Sequence, residues 1–447
     1  MQRILIPVLF VLSLGTCMQL AAQQTQTHSF SAKQTADYAL KNSVQVKNAL
    51  TDVAIQLQSN REITSAAFPQ ISGSANLTNY LSIPTNLLPA EFFGGPAGTY
   101  IPVKFGTKFN GSYTARLQQV LFDGQVFVGL QARKSSILFR QQTVEVTQEE
   151  IKSNVYKVYY QLVVGRTQIK IIDANIARAE KLLHDTRELF KNGFAEQLDV
   201  DKVNVSLSNL RTQKISIENQ LETGTIALKY LIGMPVKEQL VLTDSLSDQD
   251  LKDDLLNGSF KYDDRSEYRL QQTAAALGEY NIKRYKLSYY PTLSFNGAFN
   301  RNAQRNKFNF FDKDKPYFTT SYISFDLNIP IFDGFARAAR VQQAKLQLQQ
   351  TQANITNLEN SIDNDVQTSR VQIRNAISTM DEQKKNMALA EQVYNQTKKK
   401  YEQGLGSNLE VTNAETDLIT AQNNYFSAVY DAIIARIDYL KAVGKLQ

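Results

Sequence analysis

Few residues of this chain have the types and spacing that chemistry needs. Its 447 residues include two histidines, His28 and His184, and one cysteine, Cys17. There is no Ser/His/Asp elbow, no metal-spaced cluster and no phosphate-cradling glycine loop, so neither an enzyme nor a resident metal or cofactor is expected. His184 lies within a heptad-patterned helix and His28 near the N-terminus, and both read as surface or helix-face residues. What remains is electrostatic. Two carboxylates, Asp199 and Glu410, each stand six residues past a glycine, Gly193 and Gly404. Acids are favoured near helix N-termini, so each has a local reason to be there. The Asp123-Gly124 and Asp333-Gly334 pairs read as junction turns rather than sites.

The elements that carry these residues begin with Gln118–Phe190, which runs for more than sixty residues without a proline. Apolar residues fall at sevens in two interleaved rows. One holds Ile137, Val144, Ile151, Val158, Gly165, Ile172 and Ala179; the other holds Val155, Leu162, Ile169, Ile176, Leu183 and Phe190. Those are coiled-coil positions sustained for about seven heptads. A helix from Gly124 to Phe190 would be about 100 Å long, far more than an ordinary core needs. Gly193 is a good C-cap for it. A second helix follows over about 197–232, with Val203, Leu210, Ile217 and Leu231 in one row and Leu207, Leu221 and Leu228 in another.

The order then repeats, and motifs in fixed order over such a distance indicate an internal duplication. Phe332-Asp333-Gly334 repeats Phe122-Asp123-Gly124 at an offset of 210, and Gly404 repeats Gly193 at an offset of 211. Tyr290-Pro291 matches Phe68-Pro69, and Leu409-Glu410-Val411 matches Leu198-Asp199-Val200. The first repeat (23–235) comprises a helix from an N-cap at Ser31 to about Phe68, a β-hairpin of about 70–122, and helices over 124–191 and 197–232. The second (265–447) comprises a helix, a hairpin of about 292–332, and helices over 334–403 and 408–444. The acidic stretch 236–264 reads as an irregular linker between them, and 84–104 as a long loop rich in Pro, Gly and Phe. Ala414, Ala421, Ala428, Ala435 and Ala442 form a row of small residues that lets a neighbouring helix approach closely.

Arg3, the apolar run Ile4–Leu14 and Leu20-Ala21-Ala22 read as a secretory signal over 1–22. Lipidation of Cys17 wants a smaller residue than Thr16 before it, so ordinary cleavage is the expectation. The net charge of +6 is scattered along helix faces, which argues against nucleic acid. After the signal no run reaches the ~20 apolar residues of a membrane helix. That leaves strands. Ile71, Gly73, Ala75 and Leu77 alternate with polar residues, as do Phe105–Leu117, Leu293–Phe299 and Tyr317–Ile329. Strands cross a bilayer only in a closed barrel, because an open edge leaves unpaired backbone groups in lipid. Four strands per chain cannot close one, so several chains must share it under rotational symmetry; counting alone does not choose dimer, trimer or tetramer.

The ordered set of duplication, junctions (Phe122, Asp123, Gly124; Phe332, Asp333, Gly334) and turns (Phe190–Val200; Tyr401–Val411) resembles the TolC-like outer-membrane efflux proteins over about Phe30 to Leu446. The resemblance implies a homotrimer with a 12-stranded outer-membrane β-barrel, a periplasmic α-helical barrel, and an equatorial belt holding 236–264. It implies a passive exit duct for efflux or type I secretion, joined by a periplasmic adaptor to an energised inner-membrane transporter. Gly193, Phe194, Ala195, Gly404, Leu405, Gly406 and Ser407 would then be adaptor-docking tips. Asp199, Tyr401, Glu410 and Asn413 would belong to the periplasmic aperture, with Glu410 as a ring on the axis. Converging carboxylates repel, raise one another's pKa and attract cations. Asn413 stands where a second acidic ring would be expected and Gly406 where a locking arginine can occur, so a single-layer ring with weaker cation binding is expected. A structural coiled-coil protein of the cell envelope is the alternative; it accounts for the heptads but not for the hairpins.

Overall fold

The computed structural model describes residues 27–246 and 260–446; the expected signal, Cys17 and part of the 236–264 segment lie outside them. The elements are β1 (Thr27–Phe30), α1 (Ala32–Asn42), α2 (Val44–Ser65), β2 (Gln70–Asn79), β3 (Thr85–Pro89), β4 (Tyr100–Lys104) and β5 (Phe109–Phe122). Next come α3 (Gly124–Lys191), α4 (Gln197–Ile232), β6 (Gln239–Leu242), α5 (Ser266–Leu287), β7 (Thr292–Arg305), β8 (Phe318–Asn328), α6 (Ala336–Glu402) and α7 (Asn408–Ala442). The chain forms two compact units. One gathers residues 27–43, 154–246 and 380–430, the other 44–153, 260–379 and 431–446. The long helices α3 and α6 each contribute to both.

The second unit holds one four-stranded antiparallel sheet in the order β2-β5-β7-β8. The register aligns the alternation across all four strands. Ile71, Gly73, Ala75 and Leu77 lie opposite Leu117, Ala115, Tyr113 and Gly111. Leu117 and Ala115 in turn oppose Gly297 and Phe299, which oppose Ile323 and Ser321. One face is therefore apolar. The other carries Ser72, Ser74, Asn76, Ser112, Thr114, Asn296, Asn300, Thr320 and Ser324, because a period of two sends neighbours to opposite faces. The apolar face is not covered by the chain itself: Ile71 is 80% exposed and Ile323 73%. A bulge at Leu121, between Val120 and Phe122, ends the β5–β7 ladder where the strand passes into α3.

In the first unit α3, α4, α6 and α7 contribute to one core of Ala179, Leu182, Leu183, Val203, Leu207, Tyr394, Val411, Ala414 and Leu418. In the second, Ile362, Val366 and Ile373 of α6 pack on Ala435, Tyr439 and Ala442 of α7, so the alanine row does meet a closely packed helix.

Several expectations need correcting. The N-terminal helix is two helices, interrupted at the buried Ser43. No proline or glycine marks the break; Gly233 packs close to the backbone there, where an added Cβ would sit 2.4 Å from the Asn42 carbonyl oxygen. Within the 84–104 loop β3 and β4 pair as a small antiparallel hairpin. The 236–264 segment is not wholly irregular, since β6 pairs in parallel with β1, a partner more than two hundred residues upstream that no local pattern reveals. Phe105 and Thr107 precede the strand, β5 beginning at Phe109. The second hairpin's strands end at Asn328, α6 begins at Ala336 rather than 334, and α7 ends at Ala442 rather than 444. At that start both Gly334 and Phe335 are left-handed (φ 63° and 66°), which delays the helix by two residues.

Candidate functional site

Two turns of the first unit carry most of the candidate residues, and they are built alike. At the end of α3 the Phe194 amide donates to the Leu189 carbonyl at 2.8 Å and Gly193 adopts φ 79°. At the end of α6 the Leu405 amide donates to the Lys400 carbonyl at 2.9 Å and Gly404 adopts φ 74°. These are left-handed helix caps that favour glycine. An added Cβ at Gly193 or Gly404 would meet no heavy atom within 4 Å, so the demand is conformational and the space around each turn is open. The apolar residue after each glycine points into that space: Phe194 is 81% exposed and Leu405 77%.

Each turn is followed by a capped helix start. Asp199 is the third residue of α4, and its carboxylate accepts from the Glu196 amide at 3.3 Å. In α7 the Glu410 amide donates to the Ser407 hydroxyl at 3.3 Å, and the Glu410 side chain is exposed. Asn413, one turn on, is exposed as well. The buried Asn408 side chain donates to the Asp199 carbonyl at 3.2 Å and ties the two starts together. Tyr401 is half-buried beside this core; burial raises its pKa, the Thr186 hydroxyl opposes that, and Asp199 and Asp185 add to it. The structure thus brings Asp199, Asn408 and Tyr401 into one neighbourhood. Glu410 and Asn413 present polar groups outward.

A buried polar row accompanies them that the sequence reading missed. Asn408, Glu415 and Gln422 fall at sevens on α7 and are 5%, 2% and 8% exposed. Gln422 accepts from Asn175 at 2.8 Å, and Asn175 accepts from Arg178. The Arg178 guanidinium lies 5.7 Å from the centre of the Tyr394 ring. Both carboxylate oxygens of Glu415 and the Tyr394 hydroxyl are buried without a hydrogen-bond partner. Burial pushes the Glu415 pKa up, against the pull of Arg178 and Lys398. The Tyr394 pKa rises for the same reason, with Glu415 adding to it. The seven-residue recurrence of polar residues beside the alanine row was the available signal.

The two junctions, in the other unit, do different work with the same three residues. Asp123 accepts from the Gln125 amide at 2.8 Å and caps α3 directly. A Cβ on Gly124 would lie 2.7 Å from that of Leu287, so packing requires the glycine. Asp333 instead accepts from the amide and the guanidinium of Arg337 at 2.9 and 2.7 Å, while Arg337 also donates to the Pro330 carbonyl at 3.2 Å. Phe122 and Phe332 are exposed at the sheet's helix-bearing end. Among the described residues no cluster of His, Cys, Asp or Glu could hold a metal, and no helix is long and apolar enough to cross a membrane.

This architecture has known counterparts. The proteases secretion protein PrtF of Dickeya chrysanthemi is 20% identical over 338 residues, which is 74% of this chain and 72% of that protein. Two solved structures show the same fold. The outer membrane protein VceC of Vibrio cholerae matches with a TM-score of 0.70 and 14% identity over 92% of this chain and 96% of that one. The CmeC outer membrane channel of Campylobacter jejuni matches with a TM-score of 0.72 and 16% identity over 93% and 85%. The outer membrane efflux protein family matches residues 35–234 and 269–445. The chain is therefore a member of the outer membrane efflux protein family, a TolC-like outer-membrane channel with a large periplasmic part.

Proposed function

We propose that three copies of this chain close one 12-stranded barrel and form a passive exit duct, which a periplasmic adaptor joins to an energised inner-membrane transporter. The observation that carries this is the four-stranded sheet, with one continuous apolar face and two unpaired edges, β2 and β8. Chain direction alternates from strand to strand, so β8 of one copy meets β2 of the next antiparallel and the ladder continues around. Closure removes edges that lipid cannot satisfy.

Within that duct, Glu410 forms the carboxylate ring of the periplasmic aperture, with Asp199, Tyr401 and Asn413 around it. Its support is the exposure of the Glu410 carboxylate at a helix start that Ser407 caps. The two turns, with Gly193, Phe194, Ala195, Gly404, Leu405, Gly406 and Ser407, are the adaptor-docking tips. The open space and exposed apolar side chains there support that reading. Single-channel conductance in planar bilayers tests the aperture, wild type against Glu410→Ala, with trivalent cations added on the periplasmic side. Small, cation-selective conductance that the ions block, with block weakened in the variant, is the expected result. Block unchanged by the substitution removes Glu410 from the aperture.

A further inference from the structure

The sheet's apolar face ends in an exposed cation. Arg301 lies on that face, directly opposite Tyr113 on β5 and Thr319 on β8. Its guanidinium stacks 5.2 Å from the centre of the Tyr317 ring, and it has no ion-pair partner among the described residues. Tyr317 is held by its hydroxyl, which donates to the Phe310 carbonyl at 2.7 Å, and its ring lies 6.2 Å from that of Tyr113. Arg305, four residues on and 8% exposed, approaches the same ring at 5.8 Å. Its terminal nitrogens donate to the Gln304 and Pro316 carbonyls, and its Nε is buried without an acceptor. A cation on a lipid-facing surface is costly at mid-membrane and inexpensive at the interface. From Thr292 to Arg301 the strand rises about 31 Å, or about 23 Å along the normal at the usual tilt, close to the ~25 Å of an apolar band. Since α2 and α3 join the other end of the sheet, Arg301 stands at the outer-leaflet headgroup level.

Beside Arg301 the same face is hollowed. Gly73, Ala75 and Ala115 form the floor of a shallow groove of about 420 Å³ walled by Tyr113 and Phe299. In the proposed barrel the next copy's β8 pairs at the β2 edge beside the groove, by backbone hydrogen bonds in the plane of the sheet, and the apolar face of β2, β5 and β7 stays turned to lipid. We propose that this is a binding site for a phosphorylated outer-leaflet lipid. Arg301 takes a headgroup phosphate through charge-assisted hydrogen bonds, Tyr113 and Tyr317 flank the headgroup, and one acyl chain lies in the groove. The inference rests on the sheet being barrel wall, and the test separates the two.

The full-length assembly, extracted in detergent and stripped of lipid, would be titrated with diphosphorylated lipid A and, in parallel, with the same lipid dephosphorylated. Arg301→Gln should weaken binding of the diphosphorylated lipid by at least about tenfold, the loss expected for a hydrogen bond to a charged group. It should leave the dephosphorylated lipid unaffected. Gly73→Leu fills the groove at a position where a Cβ meets no heavy atom within 4 Å, so it should fold and weaken both lipids. Excess inorganic phosphate should not displace the lipid. Assembled variants that conduct normally and bind both lipids as wild type does would overturn the site alone. Displacement by inorganic phosphate would reassign it to a free anion. Absence of any wild-type assembly would overturn the barrel wall, and the site with it.

Discussion

Glu415 is buried to 98% among α3, α4, α6 and α7 with neither oxygen hydrogen-bonded to a described residue, and it should weaken the packing it sits in. Each buried, unsatisfied polar atom costs about 1–3 kcal/mol, and apolar replacement of buried charge commonly stabilises by about 1–4 kcal/mol. Glu415→Met, close in volume and without the oxygens, should therefore stabilise the bundle by about 2 kcal/mol, or about 30-fold in local opening. The pH dependence has a definite sign. The folded pKa is raised, by burial above all. Below the ordinary carboxylate pKa both states are protonated and the bundle is at its strongest; stability is lost as pH rises from there to the raised value, and stays lost above it. Hydrogen exchange in peptides covering 172–185 and 408–422, followed from about pH 4 to about pH 8, spans that window. Wild type should open more readily with rising pH beyond the intrinsic change in exchange rate, and Glu415→Met should remove that excess. Faster exchange in Glu415→Met at neutral pH would show instead that the carboxylate is partnered and stabilises the bundle.

Gly233→Ala places a Cβ 2.4 Å from the Asn42 carbonyl oxygen at φ 72°, so a loss of at least about 2 kcal/mol, seen as a lower melting temperature, is expected. Tyr394→Phe removes a buried hydroxyl with no partner and should be neutral or stabilising by up to about 1 kcal/mol in the same assay. Phe194→Asp and Leu405→Asp change exposed turn side chains that support no core; adaptor binding should fall by at least about tenfold with conductance unchanged.

What could be read from the sequence was whatever repeats at a short, fixed period. Alternation in Ile71–Leu77 and Leu293–Phe299 specified strands because lipid and lumen demand opposite surfaces of one sheet. Sevens in α3 and α7 specified packed helices because each turn meets the same neighbour. The pairing of β1 with β6 was hidden because four residues carry no pattern of their own and their partner is remote. The break at Ser43 was hidden because no proline or glycine marks it, and the backbone packed against it, at Gly233, is remote in the chain. At the candidate site the glycine turns were legible from the left-handed conformation they need. The Asn408–Glu415–Gln422 row was not, since polar residues at heptad spacing ordinarily mark a solvated face, and only the packing of the helices around α7 buries them.

In the proposed duct the four strands of each chain are completed by other copies. Native mass spectrometry of the full-length protein, extracted from outer membranes in mild detergent, counts those copies most directly. One dominant species of three chains is expected. A dominant monomer, dimer or tetramer from protein that conducts in bilayers would contradict it.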